Sequence, residues 1–498
     1  MLRDFIPRLY QQTILATAAT SNCLVVLPTG LGKTGVALML TVQRLTQYPN
    51  SKILMLAPTK PLCDQHVDTF RKHLELPADK IVLFTGSVAP EKREMLWKEA
   101  TITISTPQCI TGESQIFTRC GPKNIKDFVE SFPLKETIYG EKKCYSAEIS
   151  EEIIGFDENK NCFLKATKCW KLPCSQIINI AAELGNKIKC TPEHPLLTID
   201  SNAQISWKHS SEIKRGDYIA IANKIDLDTF NYNLYDFFSK TKLRLCNPKI
   251  ILKLYSKLKK NGISRKTYYN YIKRSMPLTV FFSDSHKVGY VLPDKLLITN
   301  RTGRSSPLKL PQTITPELCY LVGAMLGDGH IGNREPEHGS EVVYSELFYP
   351  SIKNQFSEII SKTFCIKPST DDMRKGLIYY SSALAEVFEK LGVPKGRKAN
   401  IINVPEWIYF CQEEYILAFL AGILNSDGDC HKNMLRICSV SKKFIYNLKW
   451  LLLRLGIVTY IEERKGKNQQ ICGHPAKSST SYHLIVSGEN NIETILRC

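Results

Sequence analysis

No two of the seventeen cysteines stand in a C-x-x-C pair, and seventeen is an odd number. A disulfide framework uses cysteines in even sets and a zinc ribbon needs close pairs, so neither organises this chain. A reducing cytoplasm is the compartment such usage fits. No apolar run approaches the roughly 18 residues of a membrane span, and no N-terminal signal pattern is visible. Acidic residues are scarce beside basic ones: 48 Asp and Glu against 66 Lys and Arg leave a net charge of +18. That excess favours a polyanionic partner such as a nucleic acid. Residues 1–108 hold 12 basic and 8 acidic residues, so about +14 of the charge lies after Cys109. A length of 498 residues predicts roughly three domains, in a chain whose composition is globular rather than disordered.

What is present begins with "NCLVVLPTGLGKTGVALML", an apolar strand, a glycine-rich turn and an apolar helix. The turn reads as a phosphate cradle of the G-x-x-x-x-G-K-T kind, with Leu27 in place of the first glycine. Backbone amides around Thr29, Gly30 and Gly32 would approach phosphate oxygens, and Lys33 would reach the β/γ-phosphates of ATP. The Thr34 hydroxyl would ligate Mg²⁺. Upstream, Gln11 could pair with an adenine edge. Three further strands end in Thr59-Lys60, Thr85-Gly86 and Thr106, positions suited to contacting a nucleic-acid backbone without reading sequence. "RLYQQTI", "NSKILMLAPTKPL" and "PEKREMLWKEATITISTPQ" give residues 1–108 a resemblance to superfamily 2 helicases, in particular the archaeal Hef helicase–nuclease family. The resemblance implies a RecA-like α/β lobe that works on DNA with ATP. The acidic D-E-A-H box and the second lobe of that family are missing here, so weak nucleotide binding and no useful hydrolysis are expected.

At Cys109 the pattern changes. From "CITGESQIF" to "EIKRGDYIAI" the chain alternates apolar and polar residues between Gly and Pro turns, which predicts an all-β unit. Within it, Cys109 is a candidate nucleophile, and Thr191-Pro-Glu-His194 offers a hydroxyl and an imidazole at a strand end. An opening cysteine with a downstream T-x-x-H resembles an intein, over residues 109 to about 235, as the N-terminal part of the horseshoe-shaped Hint fold. The resemblance implies attack of Cys109 on the carbonyl of Gln108, assisted by Thr191 and His194. Asp217 in "KRGD" reads as a turn former. None of the ten histidines is followed by asparagine. The family's closing step is therefore expected to be missing, with a second polypeptide as a possible source of the remaining Hint strands and helicase.

Later the chain repeats itself. "TPELCYLVGAMLGDGH" and "YILAFLAGILNSDGDC" are apolar helices with small residues at the middle, each ending in Asp-Gly at Asp328 and Asp427. Carboxylates at helix C-termini oppose the dipole unless a cation arrives. Two side by side would recruit Mg²⁺ for phosphodiester hydrolysis. The pair resembles the LAGLIDADG homing endonucleases over residues 301–498, implying an α+β fold of two αββα repeats on DNA. Lys398 falls where relatives supply a catalytic lysine. Between the β unit and this one, residues 236–300 read as a basic helical insert of helix-turn-helix type, with Arg265, Lys266, Tyr268 and Lys273 facing DNA. The chain is thus expected to be an intein-containing helicase precursor with endonuclease activity. A working ATPase module and a non-catalytic DNA-binding remnant stand as alternatives.

Overall fold

The computed structural model describes residues 2–21, 23, 25–27, 31–57, 60–84, 90–105, 110–139, 142–157, 160–172, 176–259, 264–300, 307–333, 339–346, 348–369, 376–431, 433–466, 468–471, 474–477 and 479–496. Thr29, Gly30, Thr59, Thr85, Gly86, Thr106 and Cys109 lie outside the described residues, as do the side chains of Lys60 and Arg265.

The first unit is a parallel sheet in the order Ile53–Leu56, Ile102–Ser105, Ile81–Phe84. Helices Leu9–Thr20, Lys33–Gln47, Lys60–His73 and Pro90–Glu99 accompany it. Leu38, Leu45, Phe70, Ile81, Ile102 and Ile104 are its buried centre. The strand expected at 23–27 does not form among the described residues, and Val26 is 80% exposed. A strand persists only where a neighbour takes its backbone hydrogen bonds.

The second unit is built of antiparallel ladders. Strand Lys142–Asp157 pairs with Lys160–Lys171 along most of its length, and also with Gln115–Thr118 and Lys135–Tyr139. Smaller ladders join Ile178–Ala181 to Lys187–Cys190, and Pro195–Ile199 to Ile205–His209 and Tyr218–Ile219.

The third unit is organised by helices Pro316–Leu326 and Glu413–Asp427, which pack side by side. Each leads into a sheet: Gly329–Asn333, Ser340–Tyr344 and Leu377–Tyr379 after the first, and Gly428–His431, Met434–Ser439, Ser481–Ser487 and Tyr460–Arg464 after the second. Both repeats therefore run beyond αββα. A two-stranded hairpin covers little core, and a third strand in the first repeat, third and fourth strands in the second, and a further helix in each complete the layers.

The basic insert is not a separate body. Strand Lys295–Thr299 pairs with Leu308–Pro311 across the expected boundary at residue 300, burying Leu296, Ile298, Leu308 and Leu310. Helices Pro248–Leu258, Arg265–Lys273 and Leu278–Lys287 share one continuous core with the repeats through Ile251, Leu254, Tyr268 and Phe281. Among the described residues no helix is long and apolar enough to cross a membrane.

Candidate nuclease centre and splice junction

Helix Pro316–Leu326 starts at Thr315, whose side chain accepts the Leu318 N–H, with Pro316 in the first turn. Its partner Glu413–Asp427 carries Glu413 and Glu414 in its first turn, where the helix dipole favours negative charge. The two backbones touch. A Cβ on Gly323 would lie 2.1 Å from the Phe419 carbonyl oxygen, and one on Gly422 2.1 Å from that of Tyr320. Only glycine fits at such an approach. Asn425 Nδ2 donates to the Tyr320 hydroxyl across the seam at 3.1 Å.

That close crossing delivers the two aspartates to one place. An ideal Cβ on Gly327, the residue before Asp328, would stand 3.4 Å from Asp427 Oδ2. Both carboxyls are half-buried. Burial, then Asp427 and Glu346, pushes Asp328 up to about 6, with Lys398 pulling the other way. Burial raises Asp427 as well, again opposed by Lys398. Lys398 Nζ donates to the carbonyls of Met325 and Leu326 at 2.6 Å each, and to that of Gly327. It thus caps the C-terminus of the first helix and places its charge beside the aspartates. Burial pulls its ammonium down to about 8, against the attraction of Asp427 and Asp328. Five residues on, Asn403 accepts from Asn447 Nδ2 at 2.7 Å.

Glu346 escaped sequence reasoning. It is buried and accepts the N–H groups of Phe348 and Tyr349 at 2.6 and 2.9 Å, just before helix Pro350–Phe364. An acidic residue ahead of Tyr349-Pro350 was the available signal.

At the expected splice junction, Ile110 forms an isolated antiparallel bridge with Cys190, and Thr111 N donates to the Lys189 carbonyl at 2.9 Å. The chain leaving Cys109 therefore runs beside the strand Lys187–Cys190, which ends just before Thr191. Thr191 is buried, and His194 N donates to its carbonyl at 3.0 Å in a tight turn. Burial lowers the His194 imidazole, whose buried Nδ1 has no hydrogen-bond partner among the described residues. Ser210 holds the turn from behind. Its hydroxyl donates to the Thr191 carbonyl at 2.7 Å, and its N–H to that of His194 at 2.8 Å. His209, beside it, is buried with Nδ1 at 3.0 Å from the Glu193 carbonyl. Both sit in "KHSSEIKRGD", a stretch whose only sequence signal was its turn. Asp217 accepts the Lys214 N–H at 3.0 Å in that turn and faces Lys208.

One expected contact is corrected. Tyr268 is 2% exposed and its hydroxyl donates to Asp284 at 2.6 Å, so it faces the core rather than DNA; the helical period turns it inward while Lys266 and Lys273 stay exposed. Gln11 is buried, accepting the Arg8 N–H and donating to the Leu31 and Gly32 carbonyls. Lys33 Nζ donates to the Leu27 carbonyl at 2.9 Å. Gly32 caps helix Lys33–Gln47 with φ +76°, and Thr34 is half-buried in its first turn.

The intein splicing domain profile matches residues 116–490. The chain belongs to the intein splicing domain family. Ahead of the intein, and overlapping its start, the DEAD/DEAH box helicase profile matches residues 8–123, so the chain is an intein-containing helicase precursor. It is 23% identical over 354 residues to elongation factor 2 of Methanopyrus kandleri, covering 66% of this chain and 26% of that protein. It is also 41% identical over 103 residues to the DEAD-box ATP-dependent DNA helicase Fancm of Drosophila melanogaster, covering 21% and 7%. The homing endonuclease I-DmoI, in a structure of mesophilic variants, is 21% identical with a TM-score of 0.27, covering 37% of this chain and 96% of that one. The chain spans 35% or less of the length of the first curated relatives it matches.

Proposed function

We propose that the intein carries a site-specific endonuclease that hydrolyses double-stranded DNA, with Asp328 and Asp427 as metal ligands and Lys398 as the proton-handling group. The observation that carries this reading is the meeting of the two carboxyls at the ends of touching helices, with the Lys398 ammonium among the helix carbonyls. Two hard oxygen donors held in a desolvated site suit Mg²⁺ or Mn²⁺. Among the described residues no group of three or more His, Cys, Asp or Glu is arranged for a metal, so water and DNA phosphate would fill the other positions. When bound, such an ion supplies water activation and charge stabilisation at the leaving 3′-oxygen. The protein's own part is to orient the carboxylates through the Gly323–Gly422 crossing and to hold Lys398, its proton easily lost, where it can take one from the attacking water. Exposed Lys266 and Lys273 would meet phosphates, making binding salt-sensitive.

We assign to Cys109 the first step of splicing. Its sulfur attacks the Gln108 carbonyl carbon, the Gln108–Cys109 amide bond breaks, and the released nitrogen takes up the thiol proton through His194. The Ile110–Cys190 bridge supports this by running the junction segment next to Thr191 and His194. Since no histidine among residues 1–498 precedes an asparagine, closure by asparagine cyclisation would draw on other residues, on this polypeptide or a second one. The target we infer is the helicase coding sequence uninterrupted at the Gln108 position. The test of the nuclease reading is cleavage of that DNA with Mg²⁺ by the wild type, and its loss in the Asp328→Asn/Asp427→Asn double variant. ATP turnover by the helicase segment is the weaker reading, given that residues 1–108 carry no acidic D-E-A-H box.

A further inference from the structure

The segment leaving the splice junction and the strand leading to Thr191 are both fastened to one nuclease helix, Lys442–Arg454. We propose that this helix is a positioning element of the splicing site, acting through Asn447, Trp450 and Lys449. The proposal rests on the acyl-shift reading of Cys109.

The first tether is Gln115, five residues after Ile110. Its Nε2 donates to Asn447 Oδ1 at 3.0 Å, and its Oε1 accepts the Trp450 indole N–H at 2.7 Å. Asn447 is buried and passes the chain on to Asn403. Phe117 follows on the same strand, its ring 5.6 Å from Trp450 and edge-on to Tyr409 at 5.4 Å. Between Ile110 and Gln115 the backbone is stitched by Ser114 N to Thr111 O and Lys126 N to Gly112 O. Little slack separates the tether from the junction.

The second tether holds the opposite strand. Lys449 Nζ donates to the Asn186 side-chain carbonyl, one residue before strand Lys187–Cys190. Beside it Gly185, at φ +67°, lies so close to the Ile461 backbone that a Cβ would meet the Ile461 oxygen at 2.5 Å. Farther along the helix, buried Arg454 donates to the carbonyls of Leu227 and Cys411. Thus the two chains that meet at the Ile110–Cys190 bridge each have an anchor on the same rigid helix. Fully paired buried amides fix one geometry, and losing a partner leaves a donor or acceptor unsatisfied. A displacement of about 1 Å at a reacting centre can cost about 10²-fold in rate. The nuclease unit would then be a structural part of the splicing site rather than a removable passenger.

The test uses the full chain with hydroxylamine or dithiothreitol, which release residues 1–108 from a thioester at Cys109. Gln115→Leu/Lys449→Met cuts both tethers, and Trp450→Phe removes one N–H while keeping a ring against Phe117. The expected result is a cleavage rate constant lower by about 10-fold or more in the double variant, with full amplitude and an unchanged pH profile. Misfolding would instead lower the amplitude. Amide exchange in residues 110–117 and 187–194 should rise in the same variant. Equal rates and equal exchange in wild type and double variant would overturn the proposal alone. A wild-type chain that never cleaves at Cys109 would overturn the acyl-shift reading, and this role with it.

Discussion

At the scale of residues, the centre is defined by three side chains whose charges disagree with their surroundings. Asp328, raised to about 6 by burial and by its acidic neighbours, is ionised in the fold at a cost. A group with a raised pKa contributes stability that is present below its unfolded value near 4 and lost as pH rises through about 6. Asp328→Asn should therefore melt at a higher temperature than the wild type above pH 6 and equally at pH 4, while cleavage falls by roughly 10³-fold; parallel thermal melts and plasmid assays check both. Lys398, lowered to about 8, should give a cleavage rate that rises as it loses its proton through pH 8. Lys398→Met should lack that rise and lose about 10²-fold in rate, read from a pH–rate profile at saturating Mg²⁺. The aspartates were legible because their motif repeats. The cap made by Lys398 on Met325, Leu326 and Gly327 was not, because it joins residues some 70 positions apart.

Among the elements, the decisive contact is the crossing of Pro316–Leu326 with Glu413–Asp427. Small residues in each helix announced a close approach. The backbone contacts of Gly323 and Gly422 show how close it is. Gly422→Ala would set a Cβ against backbone atoms of Tyr320 and Ala324, which cannot yield as a flexible side chain would. We expect a loss of about 3 kcal/mol or more, and a melting temperature lower by several degrees, measured by calorimetry. Helix Arg265–Lys273 was read on its charge, and charge gave the wrong face for Tyr268. Aromatic residues on a basic helix bury when a neighbour such as Asp284 takes their hydroxyl. The apolar run at 23–27 was read as a strand on its own pattern, yet strands are set by partners rather than by local sequence.

For the whole molecule, four sequence-defined segments are joined to different degrees. The helicase segment keeps a small parallel sheet of its own. The insert and the paired-helix repeats share a continuous core, which Phe117 of the β unit joins, and hydrogen bonds that no local pattern could foretell tie the β unit to them, such as Gln115 to Asn447 across more than 300 residues. His194→Ala should slow thiol-induced release of residues 1–108 by about 10²-fold or more without altering DNA cleavage, since the two centres use different side chains; mass spectrometry of the released fragment reads the first and a plasmid assay the second. The most direct test of the nuclease reading is incubation of the purified chain with a supercoiled plasmid bearing the helicase coding sequence joined across the Gln108 codon. With Mg²⁺ at pH 8, linearisation at one position near that codon by the wild type, and none by Asp328→Asn/Asp427→Asn, is the predicted result. Intact plasmid in Mg²⁺ and Mn²⁺ alike, or equal cutting by the double variant, would contradict it.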